Sequence, residues 1–151
     1  MMRMLKPMVD ASVVGRRYAP HSVDVERGPL RFFAEVTGQC DPVYRDVEAA
    51  RAAGHRDLLV PPTFLFCLEM RRPDPWSYIA ELGVDPRTIL HGGQSFDYHA
   101  PAYAGDRLTF ASQLTDLYRK KDGALTFVTR TTEVTRDGER IAKLEAAWVL
   151  R

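Results

Sequence analysis

Phe32-Phe33-Ala34-Glu35-Val36-Thr37-Gly38-Gln39-Cys40-Asp41-Pro42-Val43-Tyr44 and, further on, Val60-Pro61-Pro62-Thr63-Phe64-Leu65-Phe66-Cys67-Leu68 decide the fold. In the first, Leu30, Phe33, Ala34 and Thr37 recur at the spacing of a core-facing helical stripe, and Gly38 is a natural stop. A polar loop carrying Gln39, Asp41 and Tyr44 follows. In the second, Pro61-Pro62 pre-organises a helical first turn, so a helix is expected from Thr63 to Met70. That helix is apolar on nearly every side, and such a helix is enclosed by the fold rather than laid on its surface. The loop and the helix entry together mark the expected cleft.

Working outward, Ser22–Val25 reads as a short strand, and Asp24 is placed to cap a helix beginning near Glu26. Asp46 caps a second helix, Val47 to Ala53, ended by Gly54. Trp76–Leu82 forms another short helix. The remainder is strand-like. Ile89–His99 alternates, with Gln94, Phe96 and Tyr98 on one face and Gly93, Ser95, Asp97 and His99 on the other. A turn at Ala104-Gly105-Asp106 leads into Leu108–Leu117, and Lys121-Asp122-Gly123 into Leu125–Val134. Arg136-Asp137-Gly138-Glu139 is a hairpin signal before Ile141–Leu150, whose Ala142, Leu144, Ala146, Trp148 and Leu150 face is uniformly apolar. Helices followed by an antiparallel meander, with an additional strand near the N-terminus, define an α+β architecture.

A chain of 151 residues fits one domain spanning 1–151 and can bury a sizeable core. With 27% charged residues and a net charge of +1, nothing in the bulk electrostatics argues for nucleic acid or an anionic membrane as partner. Cys40 and Cys67 form neither a disulfide framework nor a metal motif; no metal or cofactor is expected, and a reducing cytoplasm is the default compartment. Met1–Val9 lacks the apolar region of a signal peptide, and the run Phe64–Leu68 is too short to span a bilayer. His21 and His55 are expected at the surface, and Cys67 inside.

Five segments in order carry a family resemblance: Phe33–Gly38 with Asp41-Pro42-Val43-Tyr44; Ala49–Gly54; Val60–Phe64; His91–Tyr98; and Pro101 through Ala104-Gly105-Asp106. Together they span most of the chain, which resembles the MaoC-like hydratase/dehydratase group of hot-dog proteins. The branch it resembles is named for the dehydratase domain of type I fatty-acid synthases. The resemblance implies a hot-dog fold, in which a curved antiparallel sheet wraps a long central helix. It also implies dimers whose sheets join, and acyl-thioester ligands carried on coenzyme A or acyl carrier protein.

The hydratase motif of that family is Gly-Asp-x-Asn-Pro-Leu/Ile-His, whose Asp and His activate a water for addition to an enoyl thioester. The chemistry needs a base for the water, an acid for the α-carbon and donors for the thioester oxygen. Here Gly38 matches the Gly, Gln39 falls at the Asp, Asp41 at the Asn, Pro42 at the Pro and Tyr44 at the His. Gln39 cannot act as a base, and a phenol with an ordinary pKa near ~10 is a poor one at neutral pH. Asp41 and Tyr44 are therefore the candidate catalytic residues. Asp41 serves either as a replacement base or as a turn-forming residue before Pro42; Tyr44 either donates to water or thioester or packs over the loop. Candidate substrate contacts are Gln39, Pro62, Thr63 and Phe64 at the helix entry, with His91, Gly92 and Gly93 lining a cleft or forming a bulged strand entry. Asp97 and His99, two apart on one face of the strand, are either an acid–base pair or, as alternation favours, solvent-facing polar residues.

The expected function is that of a hydratase/dehydratase-type subunit for enoyl- or 3-hydroxyacyl-thioesters. Its changed dyad would pair with a catalytic partner, as a homodimer or as a heterodimer with a second MaoC-like subunit. The alternatives are a non-catalytic acyl-thioester binding homodimer and, further off, a thioesterase.

Overall fold

The computed structural model describes residues 9–151. The expectation for Met1–Val9 therefore lies almost wholly outside the described residues. The elements are β1 (His21–Asp24), α1 (Arg27–Val36), α2 (Val47–Ala52), α3 (Phe64–Glu69), α4 (Ser77–Glu81), β2 (Ile89–Tyr98), β3 (Arg107–Lys120), β4 (Leu125–Arg136) and β5 (Glu139–Leu150). One curved antiparallel sheet holds all five strands in the order β1-β3-β4-β5-β2. The fold is the α+β hot-dog fold.

The expected meander holds only for β3, β4 and β5. β2 does not pair with its successor β3; it crosses to the far edge and pairs with β5, from Ile89 opposite Leu150 to Tyr98 opposite Ala142. Both neighbours are strand-like with alternating faces, and periodicity carries no information about which edge a strand joins. Between His91 and Gly93 the register slips by one residue, a β-bulge. A Cβ on Gly92 would lie 2.6 Å from Val149 Cγ2 and 3.3 Å from the Ala147 carbonyl oxygen. A side chain at Gly92 would therefore overlap a methyl of Val149 and press on the Ala147 carbonyl.

α3 lies against the sheet through Phe64, Leu65 and Leu68, in a core with Leu108, Phe110, Val134 and Leu144. A second core joins Tyr18, Tyr78 and Ile79 to Leu114, Val128 and Trp148. α3 is six residues long, shorter than the central helix the resemblance implied, because the chain leaves helical geometry at Met70 before Arg71-Arg72-Pro73. Its prolines precede the helix rather than occupying its first turn, and Thr63 is its N-cap without a side-chain capping bond. At the head of α1, Asp24 is not the cap; it ends β1 and binds Arg107 at 2.8 Å, and Glu26 occupies the N-cap position. Asp46 caps α2 as expected, accepting from the amides of Glu48 and Ala49.

Between the two cores sits a buried ion pair that apolar patterning did not reveal. Glu69, the last residue of α3, meets Arg130 of β4 at 3.0 Å, with both side chains almost fully buried. Thr132 and Ser112 donate to the other Glu69 oxygen. The Arg130 guanidinium lies 4.6 Å from the Tyr78 ring centroid, within cation–π range.

His21 is not a surface residue. Its ring stacks on Phe110 at 5.3 Å, because β1 pairs with β3 and turns that face inward. Burial, with Arg72 as a second influence, pushes its pKa below the ordinary histidine value. The unfolded chain therefore takes up a proton near pH 6.5 while the folded chain resists it. Stability is fully present above about 6.5 and declines as pH falls through the depressed folded pKa. Urea unfolding followed across this range is expected to show an acid-side loss that His21→Phe reduces. An unchanged pH profile in that variant would show that His21 is not its source.

Candidate functional site

The loop after α1 is built around short-range bonds. Asp41 accepts from the amide of Val43 at 3.1 Å, capping a single 3₁₀ turn at Pro42–Tyr44. The Gln39 side-chain oxygen accepts from the Asp41 amide at 3.1 Å. The Gln39 and Asp41 side chains are thus engaged in shaping the loop, and Asp41 is exposed. Its carboxylate has the turn-forming geometry that an Asp-Pro step favours.

Behind this loop the segment Leu58–Val60 runs alongside residues 102–104. Val60 donates to the Ala102 carbonyl and Ala104 to that of Leu58, both at 2.9 Å. Leu59 donates to Val43, tying the 3₁₀ turn to the same wall. These elements line an open cavity of about 340 Å³. Its walls are mostly apolar, with Leu65 from α3 and Ile141 from β5 at its base; the polar groups facing it are Tyr44, Tyr98 and His99. A second hollow of about 290 Å³ lies on the other side of Pro62, walled by Phe33, Gln39 and Thr63 among others. Pro62 separates the two.

The structure thus brings Tyr44 and Pro62 to one cavity and Gln39, Pro62 and Thr63 to the other. Phe64 is buried in the core, edge-on to Phe33 at 4.9 Å. His91 lies apart from both hollows, its ring 5.5 Å from Phe66 and 5.1 Å from Trp148, and Gly92 and Gly93 form the β2 bulge. The backbone donors expected at the helix entry are already engaged: Thr63 donates to the Tyr98 hydroxyl at 2.9 Å, and Phe64 to the Pro61 carbonyl at 3.1 Å.

Tyr98 and His99 are the site residues that the sequence reading did not place at the cleft: Tyr98 keeps the face that alternation gave it, stacked on Phe96, and His99 stays exposed while also lining the cavity. Strand period places them on opposite faces, yet both face the cavity. The amides of His99 and Ala100 both donate to the Ile141 carbonyl, at 2.9 and 3.2 Å, so regular pairing stops at Tyr98 and the period of two stops with it. Asp97 stays mostly exposed, its carboxylate 3.7 Å from the His99 ring. Pro101, which cannot continue the ladder, was the available sequence signal.

Burial raises the pKa of Tyr44, as does the nearby Asp41 and, more weakly, Tyr98. Burial also raises that of Tyr98, opposed by the bond from Thr63. Both phenols therefore remain protonated donors at neutral pH. Among the described residues, no group of three or more His, Cys, Asp or Glu side chains is placed to hold a metal ion, and no helix is long and apolar enough to cross a membrane.

Residues 12–144 match the family model described as "FAS1-like, dehydratase domain region". The chain belongs to this FAS1-like dehydratase family. A UPF0336 protein of Saccharopolyspora erythraea is 37% identical to this member over 145 residues, covering 95% of this chain and 92% of that one. Among solved structures, a MaoC-like dehydratase superposes with a TM-score of 0.80 at 27% identity, over 92% of this chain and 42% of that one. The C-terminally truncated HadBC (3R-hydroxyacyl-ACP dehydratase) complex from Mycobacterium tuberculosis gives 0.76 at 22% identity, over 91% and 96%. The latter is a likeness of fold. In this family member the two hollows share Pro62, next to the entry to α3.

Proposed function

We propose that this protein is a hydratase/dehydratase-type subunit for enoyl- or 3-hydroxyacyl-thioesters of coenzyme A or acyl carrier protein. In this reading it binds the acyl chain and works beside a second MaoC-like subunit that retains Asp and His. The observation that carries it is an apolar cavity of about 340 Å³ directly behind a motif loop whose Gln39 and Asp41 side chains are both bonded into the loop itself. The cavity supports binding of an acyl chain. The loop supplies Tyr44 where the family places His, and no base where it places Asp.

Two further facts support a partnered state. Among the described residues β2 is an edge strand, with one side left to pair with a second sheet. The HadBC structure, similar in fold, is described as a dehydratase complex. Asp41 and Tyr44 have support as shaping residues of the loop and cavity rather than as an acid–base pair.

Hydration of crotonyl-CoA, followed by loss of enoyl-thioester absorbance, tests the reading. The purified chain alone is expected to be inactive, and activity is expected when it is joined by a second MaoC-like subunit carrying Asp and His. Turnover at ordinary enzyme rates by the isolated chain would overturn the subunit reading in favour of a complete hydratase.

A further inference from the structure

Thr63 has φ of 70°, in the left-handed region that a β-branched residue adopts only under constraint. Such strain persists where surrounding contacts over-determine it. The constraint here is visible. The Thr63 amide points away from α3 and donates to the Tyr98 hydroxyl at 2.9 Å, from the far end of β2. The Tyr98 ring is held in turn by stacking on Phe96 at 5.9 Å and 7°. Because the phenol oxygen already accepts from a backbone N–H, its own hydrogen is the remaining directed donor. Tyr98 and Tyr44 both line the 340 Å³ cavity. A mostly apolar chamber with two protonated phenols in its wall is suited to a neutral acceptor at the head of an apolar chain.

We propose that Tyr98 and Tyr44 form a phenol pair that receives the carbonyl oxygen of an acyl thioester, with Tyr98 the principal donor, oriented by the Thr63 amide. The inference rests on the acyl-thioester reading and names the atoms that recognise the thioester within it. The backbone donors of the α3 entry are spent on Tyr98 and the Pro61 carbonyl, so the donor facing ligand has moved from main chain to side chain. The bond from Thr63 polarises the phenol, making its O–H the stronger donor. Tyr98 would be a binding and positioning residue whose effect requires a carbonyl in the ligand.

The test compares saturated acyl-CoA thioesters of short, medium and long chain with the matched S-alkyl-CoA thioethers, which lack only the carbonyl oxygen. Binding to the full chain is measured by calorimetry. The wild type is expected to prefer thioester over thioether by roughly three- to tenfold, the range of one neutral hydrogen bond. Tyr98→Phe keeps the stacked ring, and is expected to remove most of that preference, down to the smaller share that Tyr44 supplies, while leaving thioether affinity unchanged. Tyr44→Phe, an independent variant on another element, is expected to reduce the preference in part.

Three results would overturn the proposal. Equal wild-type affinity for thioester and thioether would remove carbonyl recognition while leaving acyl binding intact. A preference that is undiminished or larger in Tyr98→Phe would show that the phenol only covers the Thr63 amide, which then takes the carbonyl itself. Absence of binding by every thioester and thioether would remove both the phenol pair and the acyl-thioester reading.

Discussion

Glu69→Leu alone is expected to cost about 3–5 kcal/mol of stability, because it leaves the Arg130 guanidinium in the interior without its counter-charge. For a chain of this length that corresponds to a fall in melting temperature of very roughly 6–20 °C. Arg130→Met alone is expected to be comparably damaging for the mirror-image reason. The informative variant is the pair. In Glu69→Leu/Arg130→Met both charges are gone, and Ser112 and Thr132, already 2.9 Å apart, can satisfy each other. Its stability is expected to return to within about 1 kcal/mol of the parent, since exchanging a buried ion pair for apolar side chains is often neutral or favourable. Urea unfolding of the four proteins closes a double-mutant cycle. Single variants that cost no more than an ordinary surface substitution would show that the pair is solvated and that the packing described here is wrong at that point.

Leu68→Ala is expected to cost about 2–5 kcal/mol, the range for emptying a well-packed leucine site. Leu68 is fully buried in the core that joins α3 to β3, β4 and β5. The cost sits high in that range if the short α3 is held in place by the sheet and cannot shift to fill the hole. Leu65, one turn earlier, forms part of the cavity base. The same variant is therefore expected to loosen the cavity and weaken thioester binding beyond what a reduced folded population explains. Cys67→Ala on the same helix is a matched comparison: that thiol is only partly buried, although burial still raises its pKa, and a loss below about 1 kcal/mol is expected. Equal losses at 67 and 68 would contradict the side of α3 assigned here to the core.

Much of the fold was legible because it rests on local periodicity. The Leu30, Phe33 and Ala34 stripe of α1, the Asp46 cap, the apolar α3 and the alternating faces of β5 are each written in residues a few positions apart, and each is present; Thr37, expected in the stripe, is instead exposed at the C-cap. The pairing of β2 was not legible. Strand order depends on contacts between residues more than forty positions apart, such as Gln94 with Ala146, and no local pattern encodes them. The buried Glu69–Arg130 pair escaped for the same reason. A single acidic residue on an apolar helix reads as its solvent face until the chain that covers it is known.

The candidate site divides along the same line. From the residue types alone, the motif loop lacks the family Asp and His, so Gln39 cannot abstract a proton whatever surrounds it. The fold family and the acyl-thioester expectation also came from ordered motifs along the chain. Only the tertiary structure decided that Tyr98 and His99 share a wall with Tyr44, that His91 lies elsewhere, and that the Thr63 amide is held by a phenol from the opposite side of the fold. The physical reason is that a side chain's chemistry is intrinsic, whereas its partner is fixed by closure of the chain. The end of β2 and the entry to α3 are thirty-five positions apart, and they meet only because the sheet carries one to the other.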